Sequence, residues 1–176
     1  MGSHFDEGVK LVNQGLYDKA IEELDKALAS DFKNPIIHYY KGLALYDMKR
    51  YNEAAEEFEI AIMLDPKKPY YYYMRGLTLY NLGKYEEAIE ELDNAILLNK
   101  KEPKYHYIKG LALYKLGRYV EAIDEFDKAI TLNPNDPFYH FYKGKALTRL
   151  NRYEDAVKEF DKAISLNPKE PEFHIQ

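Results

Sequence analysis

The chain has 176 residues and a formal net charge of −5, with hydrophobic residues at 46% and charged residues at 31%. That balance belongs to a folded chain and excludes a disordered one. It holds no cysteine, which removes disulfides, thiolate metal sites and a cysteine nucleophile. An excess of acidic residues, 30 against 25 basic, argues against nucleic acid, whose footprint is a basic stripe. No apolar run approaches the roughly 20 residues that span a bilayer, so neither nucleic acid nor membrane is expected as a partner.

The opening Met1-Gly2-Ser3-His4 reads as a tag or vector remnant. The native sequence is expected from Phe5, with cytoplasmic residence. From there self-similarity governs the chain. Gly8, Gly42, Gly76, Gly110 and Gly144 stand 34 residues apart, as do Tyr17, Tyr51, Tyr85, Tyr119 and Tyr153. Ala20 and Ala27 head two more series of the same period. A period of this length marks an array of supersecondary units. The units run 5–34, 35–68, 69–102, 103–136 and 137–170, and residues 171–176 open a sixth that stops.

Each unit has helical spacing. In the second, His38, Gly42 and Leu45 share one face, then Ala54, Phe58, Ala61 and Ile62 share another. Between such helices Leu82-Gly83-Lys84-Tyr85 and Leu116-Gly117-Arg118-Tyr119 supply a glycine for the left-handed residue that closes a helix. The second unit has Lys49-Arg50-Tyr51 there. Second helices open with acids such as Glu86 and Glu87, matching the positive end of the helix dipole. Pro66, Pro134 and Pro168 end them, and Pro35, Pro69, Pro103, Pro137 and Pro171 start the next first helix. The small Gly and Ala columns mark places where two helices approach closely.

At Gly110, Ala112, Tyr119, Ala122, Phe126, Ala129 and Pro134, a pattern repeated along essentially all 170 repeat residues, the chain resembles the tetratricopeptide repeat (TPR) family. It departs where tryptophan is usual, at the fourth residue of a unit, which here is His38, Tyr72, His106 or His140. The resemblance implies an all-α, right-handed superhelical solenoid of helix–turn–helix repeats, with first helices lining a concave groove and second helices forming the convex back.

Little in the sequence points to chemistry. His4, His38, His106, His140 and His174 share one place in their units. Successive layers lie roughly 10 Å apart, too far for two imidazoles to meet one metal. They are expected as packing residues facing Gly and Leu of the same helix, with no metal bound. Glu86, Glu87, Glu90 and Glu91 are expected on a solvated outer face. There is no phosphate loop and no Ser/His/Asp constellation, so no catalytic residue and no cofactor is expected. A basic seventh residue (Lys41, Arg75, Lys109, Lys143) and an acidic twenty-fifth (Asp25, Glu59, Asp93, Asp127, Asp161) suggest a ladder of ion pairs between units, Asp93 with Lys109 among them. The alternative is lysines extending into water along apolar stems.

The first helices carry an aromatic lining. Helical-wheel placement assigns to the groove Tyr39, Tyr40 and Leu43; Tyr70, Tyr73, Met74 and Leu77; Tyr107, Ile108 and Leu111; and Phe138, Phe141, Tyr142 and Lys145. Packing between first helices is expected to use about half of these rings; the remainder point to a binding surface. The family's carboxylate clamp is missing, because its places hold Phe5, Val9, Tyr39, Tyr40, Tyr73 and Met74. The expected function is therefore a non-catalytic protein–protein interaction scaffold that takes a hydrophobic or amphipathic peptide, as helix or extended strand, with Asp47, Lys115, Lys145 and Arg149 orienting it. The alternative is self-association through the fifth unit and residues 171–176, since Val157, Phe160 and Ile164 are expected to lack a polar cap.

Overall fold

Proline at the first helical position and a left-handed residue at the end divide this chain into short helices. The computed structural model describes residues 2–174, with side chains from His4. It contains α1 (Gly2–Asn13), α2 (Tyr17–Ser30), α3 (Pro35–Asp47), α4 (Tyr51–Leu64), α5 (Pro69–Asn81), α6 (Tyr85–Leu98), α7 (Pro103–Lys115), α8 (Tyr119–Leu132), α9 (Pro137–Arg149), α10 (Tyr153–Leu166) and a 3₁₀ turn, Pro171–His174. No strand occurs among the described residues. Gly2–His4, read from sequence as tag, form the first turn of α1, while Met1, Ile175 and Gln176 lie outside the described residues.

The starts and stops follow the expected chemistry. Pro35, Pro69, Pro103 and Pro137 occupy the first turns of α3, α5, α7 and α9. Asn34 and Asp136 cap α3 and α9 by accepting from Ile36 N (3.1 Å) and Phe138 N (2.9 Å). Each first helix ends on a residue of positive φ: Gly15 (77°), Lys49 (61°), Gly83 (79°), Gly117 (78°) and Asn151 (62°). Lys49 and Asn151 thus adopt the conformation that glycine supplies elsewhere, at the cost of a crowded Cβ.

The chain forms two compact units, 1–98 and 99–176. In the first, consecutive helices from α1 to α6 pack in sequence, and α3 also touches α1 and α5. In the second, α7 to α10 do the same, α7 touches α9, and the 3₁₀ turn docks on α10.

Close approach within each pair is the job of the recurrent glycine. A Cβ on Gly42 would stand 2.6 Å from Phe58 Cε1, and one on Gly110 2.5 Å from Phe126 Cε1. Gly8, Gly76 and Gly144 meet Leu24, Leu92 and Phe160 in the same way. The partner of the glycine is therefore the twenty-fourth residue of the same repeat, a Leu or Phe. Phe58, Phe126, Leu24 and Leu92 are fully buried, and each contributes about 1.5–3 kcal/mol by removal from water.

A second buried column escaped the sequence reading. Ile37, Tyr71, Tyr105, Tyr139 and Phe173 are 0–6% exposed, all at the third residue of a repeat. Burial pushes the phenols of Tyr71 and Tyr139 up to about 12, helped by Tyr70 and Asp65 in the first case and by Asp136 and Glu102 in the second.

Candidate functional site

The aromatic face of the first unit is built on α3 and α5. Tyr39 sits at its centre: its ring packs on Phe58 of its own repeat (centroids 5.8 Å) and on Tyr71 of the next (5.2 Å). Tyr40 and Tyr70 both meet it edge to face, at 5.6 and 5.2 Å. Leu43 and Met74 pack with Tyr39 around Leu45, Ala54 and Phe58. Tyr39, Tyr40, Leu43, Tyr70, Tyr73, Met74 and Leu77 are all half-buried. Each ring thus serves the joint between repeats with one side and keeps part of its surface in water.

Further along this face, Asn81 donates to the Tyr46 hydroxyl at 2.9 Å, and Tyr46 and Tyr51 pack edge to face at 5.3 Å. Asp47 faces Tyr17: burial, then the Asp47 charge and hydrogen bond, raise the Tyr17 phenol above its ordinary value. Asp47 therefore already has a partner on the preceding repeat.

The second unit repeats the design with one change. Tyr107 packs on Phe126 (6.1 Å), Tyr139 (4.8 Å) and Tyr142 (6.1 Å), and Tyr107, Leu111, Phe138, Tyr142 and Lys145 are half-buried. Ile108 and Phe141, expected in the groove, are instead core residues at 8% and 2% exposure. Phe141 is closed off by Phe173 of the 3₁₀ turn (4.9 Å) and by Phe160 (5.6 Å). Lys145 lies 5.5 Å from the centroids of both Phe141 and Tyr142, a cation–π arrangement. Arg149 stands over the Tyr119 ring at 5.8 Å and donates to the Tyr114 hydroxyl at 3.5 Å.

Docking of the 3₁₀ turn also corrects the expected end of the array. Phe173 is fully buried with Phe141 and Ala163. Phe160 and Ile164 pack against that cluster and are half-buried, so only Val157, at 56%, is exposed as expected.

The histidines are not filler against Gly and Leu. His38, His106 and His140 place Nδ1 2.9–3.0 Å from Glu57, Glu125 and Glu159, nineteen residues on, and Nε2 2.9–3.4 Å from the carbonyl oxygens of Phe32, Lys100 and Pro134. His4 makes the same contact with Glu23 at 3.1 Å. His38, His106 and His140 each tie a first helix to its second helix and to the loop before it. In the third repeat Tyr72 donates to Pro66 O at 2.9 Å, and Glu91 turns to Arg75 at 3.0 Å. Glu91 is therefore half-buried and paired, not on the solvated face with the exposed Glu86, Glu87 and Glu90.

Glu125 and Glu159 are the hubs of this network, at 5% and 7% exposure. Glu125 is met by His106, by Lys128 at 3.1 Å and by Lys109 at 3.7 Å; Glu159 by His140, Lys162 at 3.4 Å and Lys143 at 3.7 Å. Burial alone raises both carboxyls, but the histidine hydrogen bonds and lysine charges outweigh it and hold them below the ordinary carboxylate value. A signal was available: glutamate fills this place in all five repeats (Glu23, Glu57, Glu91, Glu125, Glu159), while its N-terminal neighbour changes from Glu22 to Lys158.

The ion-pair ladder is present within both units. Lys41 meets Asp25 at 2.9 Å, Arg75 meets Glu59 at 3.4 Å, and Lys143 meets Asp127 at 2.7 Å. Each of these basic residues joins the acidic residue of the preceding repeat.

Among the described residues no group of three His, Asp or Glu gathers as metal ligands, and no helix is long and apolar enough to cross a membrane.

Comparison with known proteins follows the same repeats. Family models described as TPR repeat match residues 8–49 and 42–83, and models described as Tetratricopeptide repeat match 73–137 and 137–170. The crystal structure of MamA protein is similar over 98% of this chain and 94% of its own, at 26% identity and a TM-score of 0.87. MamA from Desulfovibrio magneticus RS-1 shares the fold at 22% identity and a TM-score of 0.90, covering 95% and 94%. So does YrrB, a TPR protein with an unusual peptide-binding site, at 23% identity and 0.85, covering 97% and 88%. No curated protein sequence matches the chain. With ten α-helices in successive pairs among the described residues and repeat models matching from residue 8 to residue 170, the chain belongs to the tetratricopeptide repeat family.

Proposed function

We propose that this TPR protein is a non-catalytic interaction scaffold that holds an apolar or amphipathic segment of another polypeptide on the aromatic faces of its first helices. The observation that carries the reading is the composition of α3 and α5. Four positions on each helix, Ile36, Tyr39, Tyr40 and Leu43 on α3 and Tyr70, Tyr73, Met74 and Leu77 on α5, hold Ile, Tyr, Leu or Met and are half-buried, with charged, exposed Asp47 at the end of α3. A lining of rings already braced against one another offers contact area at little entropic cost. YrrB, a TPR protein with a peptide-binding site, puts the same fold to this use. An array of short apolar and amphipathic peptides probed with the protein should give captures that the Tyr73→Ala/Leu77→Asp double variant loses, with its helical circular dichroism retained. Equal capture by that variant removes the proposal.

Exposed Val157 beside half-buried Phe160 and Ile164 supports a second reading, self-association through α10. Sedimentation that gives a larger mass at high concentration, reversed by Val157→Glu, favours it. A constant monomer mass excludes it.

A further inference from the structure

The charge on the first helices of the second unit is one-sided. α7 and α9 contain no acidic residue and six basic ones, Lys104, Lys109, Lys115, Lys143, Lys145 and Arg149. Lys109 and Lys143 turn to Glu125 and Glu159 of the second helices. Among the described residues, Lys115, Lys145 and Arg149 enter no ion pair. Lys145 is half-buried against Phe141 and Tyr142, and Arg149, one turn on, is exposed over Tyr119 beside the Tyr114 hydroxyl. Exposed Lys115 holds the place of Arg149 on the neighbouring first helix, which touches α9. We infer that this face takes an acidic stretch of the bound polypeptide, an inference that rests on the interaction reading above.

Charge selects this guest over the others. A purely apolar segment laid here would strip more water from half-buried Lys145 and return no partner, a cost for any charge. A basic segment would be repelled. A guest carboxylate instead forms charge-assisted hydrogen bonds with cations already held by their rings. The face accepts one carboxylate from within the chain: Glu172 of the 3₁₀ turn takes the Tyr142 hydroxyl at 3.1 Å, on the ring that Lys145 also meets. The corresponding places in the first unit hold Leu43, Asp47, Leu77 and Asn81, so the preference is confined to the second. Single-stranded nucleic acid is also anionic, but it needs open ring faces on which bases stack. Here Phe141 is 2% exposed, and the Tyr107 ring packs on Phe126, Tyr139 and Tyr142. The net charge of −5 adds a general repulsion toward a polyanion.

The test is calorimetric titration of the intact chain with a leucine–glutamate amphipathic peptide and with the same peptide carrying glutamine for glutamate. The glutamate peptide is expected to bind about tenfold more tightly, an advantage that shrinks as salt rises. Lys145→Gln/Arg149→Gln should remove that advantage, with helical circular dichroism retained. Lys158→Gln, which deletes an exposed cation of α10, should leave it unchanged. If the double variant loses its helices, Lys115→Gln takes its place, with an expected loss of about threefold. Equal affinity for the two peptides, or a preference that survives the variants, overturns the inference and leaves the interaction reading standing. A single-stranded oligonucleotide that outcompetes the glutamate peptide assigns the face to nucleic acid and overturns it too. Failure of both peptides, together with an empty peptide array, overturns the two readings at once.

Discussion

Replacing Glu125 by glutamine tests whether the buried carboxylates hold the repeats together. The wild-type side chain, 5% exposed, faces His106 at 3.0 Å, Lys128 at 3.1 Å and Lys109 at 3.7 Å. Glutamine keeps one acceptor oxygen but removes the charge all three partners answer. Breaking one side of a buried ion pair costs about 3–5 kcal/mol. The retained amide oxygen and the mobile lysine ends bring the expected loss to about 2–3 kcal/mol. With a urea dependence on the order of 2 kcal/mol per molar, the unfolding midpoint should fall by about 1 M at neutral pH. The pH dependence carries a sign. The Glu125 carboxyl is held below its ordinary value in the folded chain, so its contribution is present above the unfolded value of about 4.3. It is lost as pH falls through the lower folded value. Wild type and variant should therefore differ at neutral pH and converge in acid. Urea titrations followed by circular dichroism from neutral to acid pH give both curves, with Glu121→Gln, an exposed partner of Arg118, as a control that leaves the midpoint nearly unchanged. A constant offset between the wild-type and Glu125→Gln curves at every pH, or none at neutral pH, would refute the reasoning.

Two backbone positions give independent checks. Gly110→Ala forces a methyl to 2.5 Å from the fully buried Phe126 ring, and should destabilise the chain by about 1–3 kcal/mol in urea titration. An unchanged midpoint would mean that ring has room to move. Lys49 holds φ at 61°, so Lys49→Gly should stabilise by up to about 1 kcal/mol. In contrast, Gly83→Ala, where nothing lies within 4 Å of the new Cβ, should cost about as much purely through the backbone. Opposite signs for these two are the expected result.

The helix starts at Pro35, Pro69, Pro103 and Pro137 and the close approach at Gly42 and Gly110 were legible because they are local or periodic. A 34-residue period aligns five copies of every position, and a glycine column has few physical meanings. The ladder of Lys41, Arg75 and Lys143 was legible for the same reason: two columns of opposite charge lie at a constant separation. What tertiary structure alone decided is which side of each first helix meets the next repeat. Helical periodicity marks an apolar stripe but not its neighbour, so the buried column from Ile37 through Tyr71 to Phe173 was passed over. For the same reason Phe141, in register with half-buried Tyr39, was expected on the open face, although Phe173 covers it. The hub at Glu125 depended on His106 of another helix and Lys109 one turn beyond it. A carboxylate on a helix reads as solvated until the opposing imidazole and ammonium are in place, because burial and pairing are properties of the packed pair of helices and not of either segment.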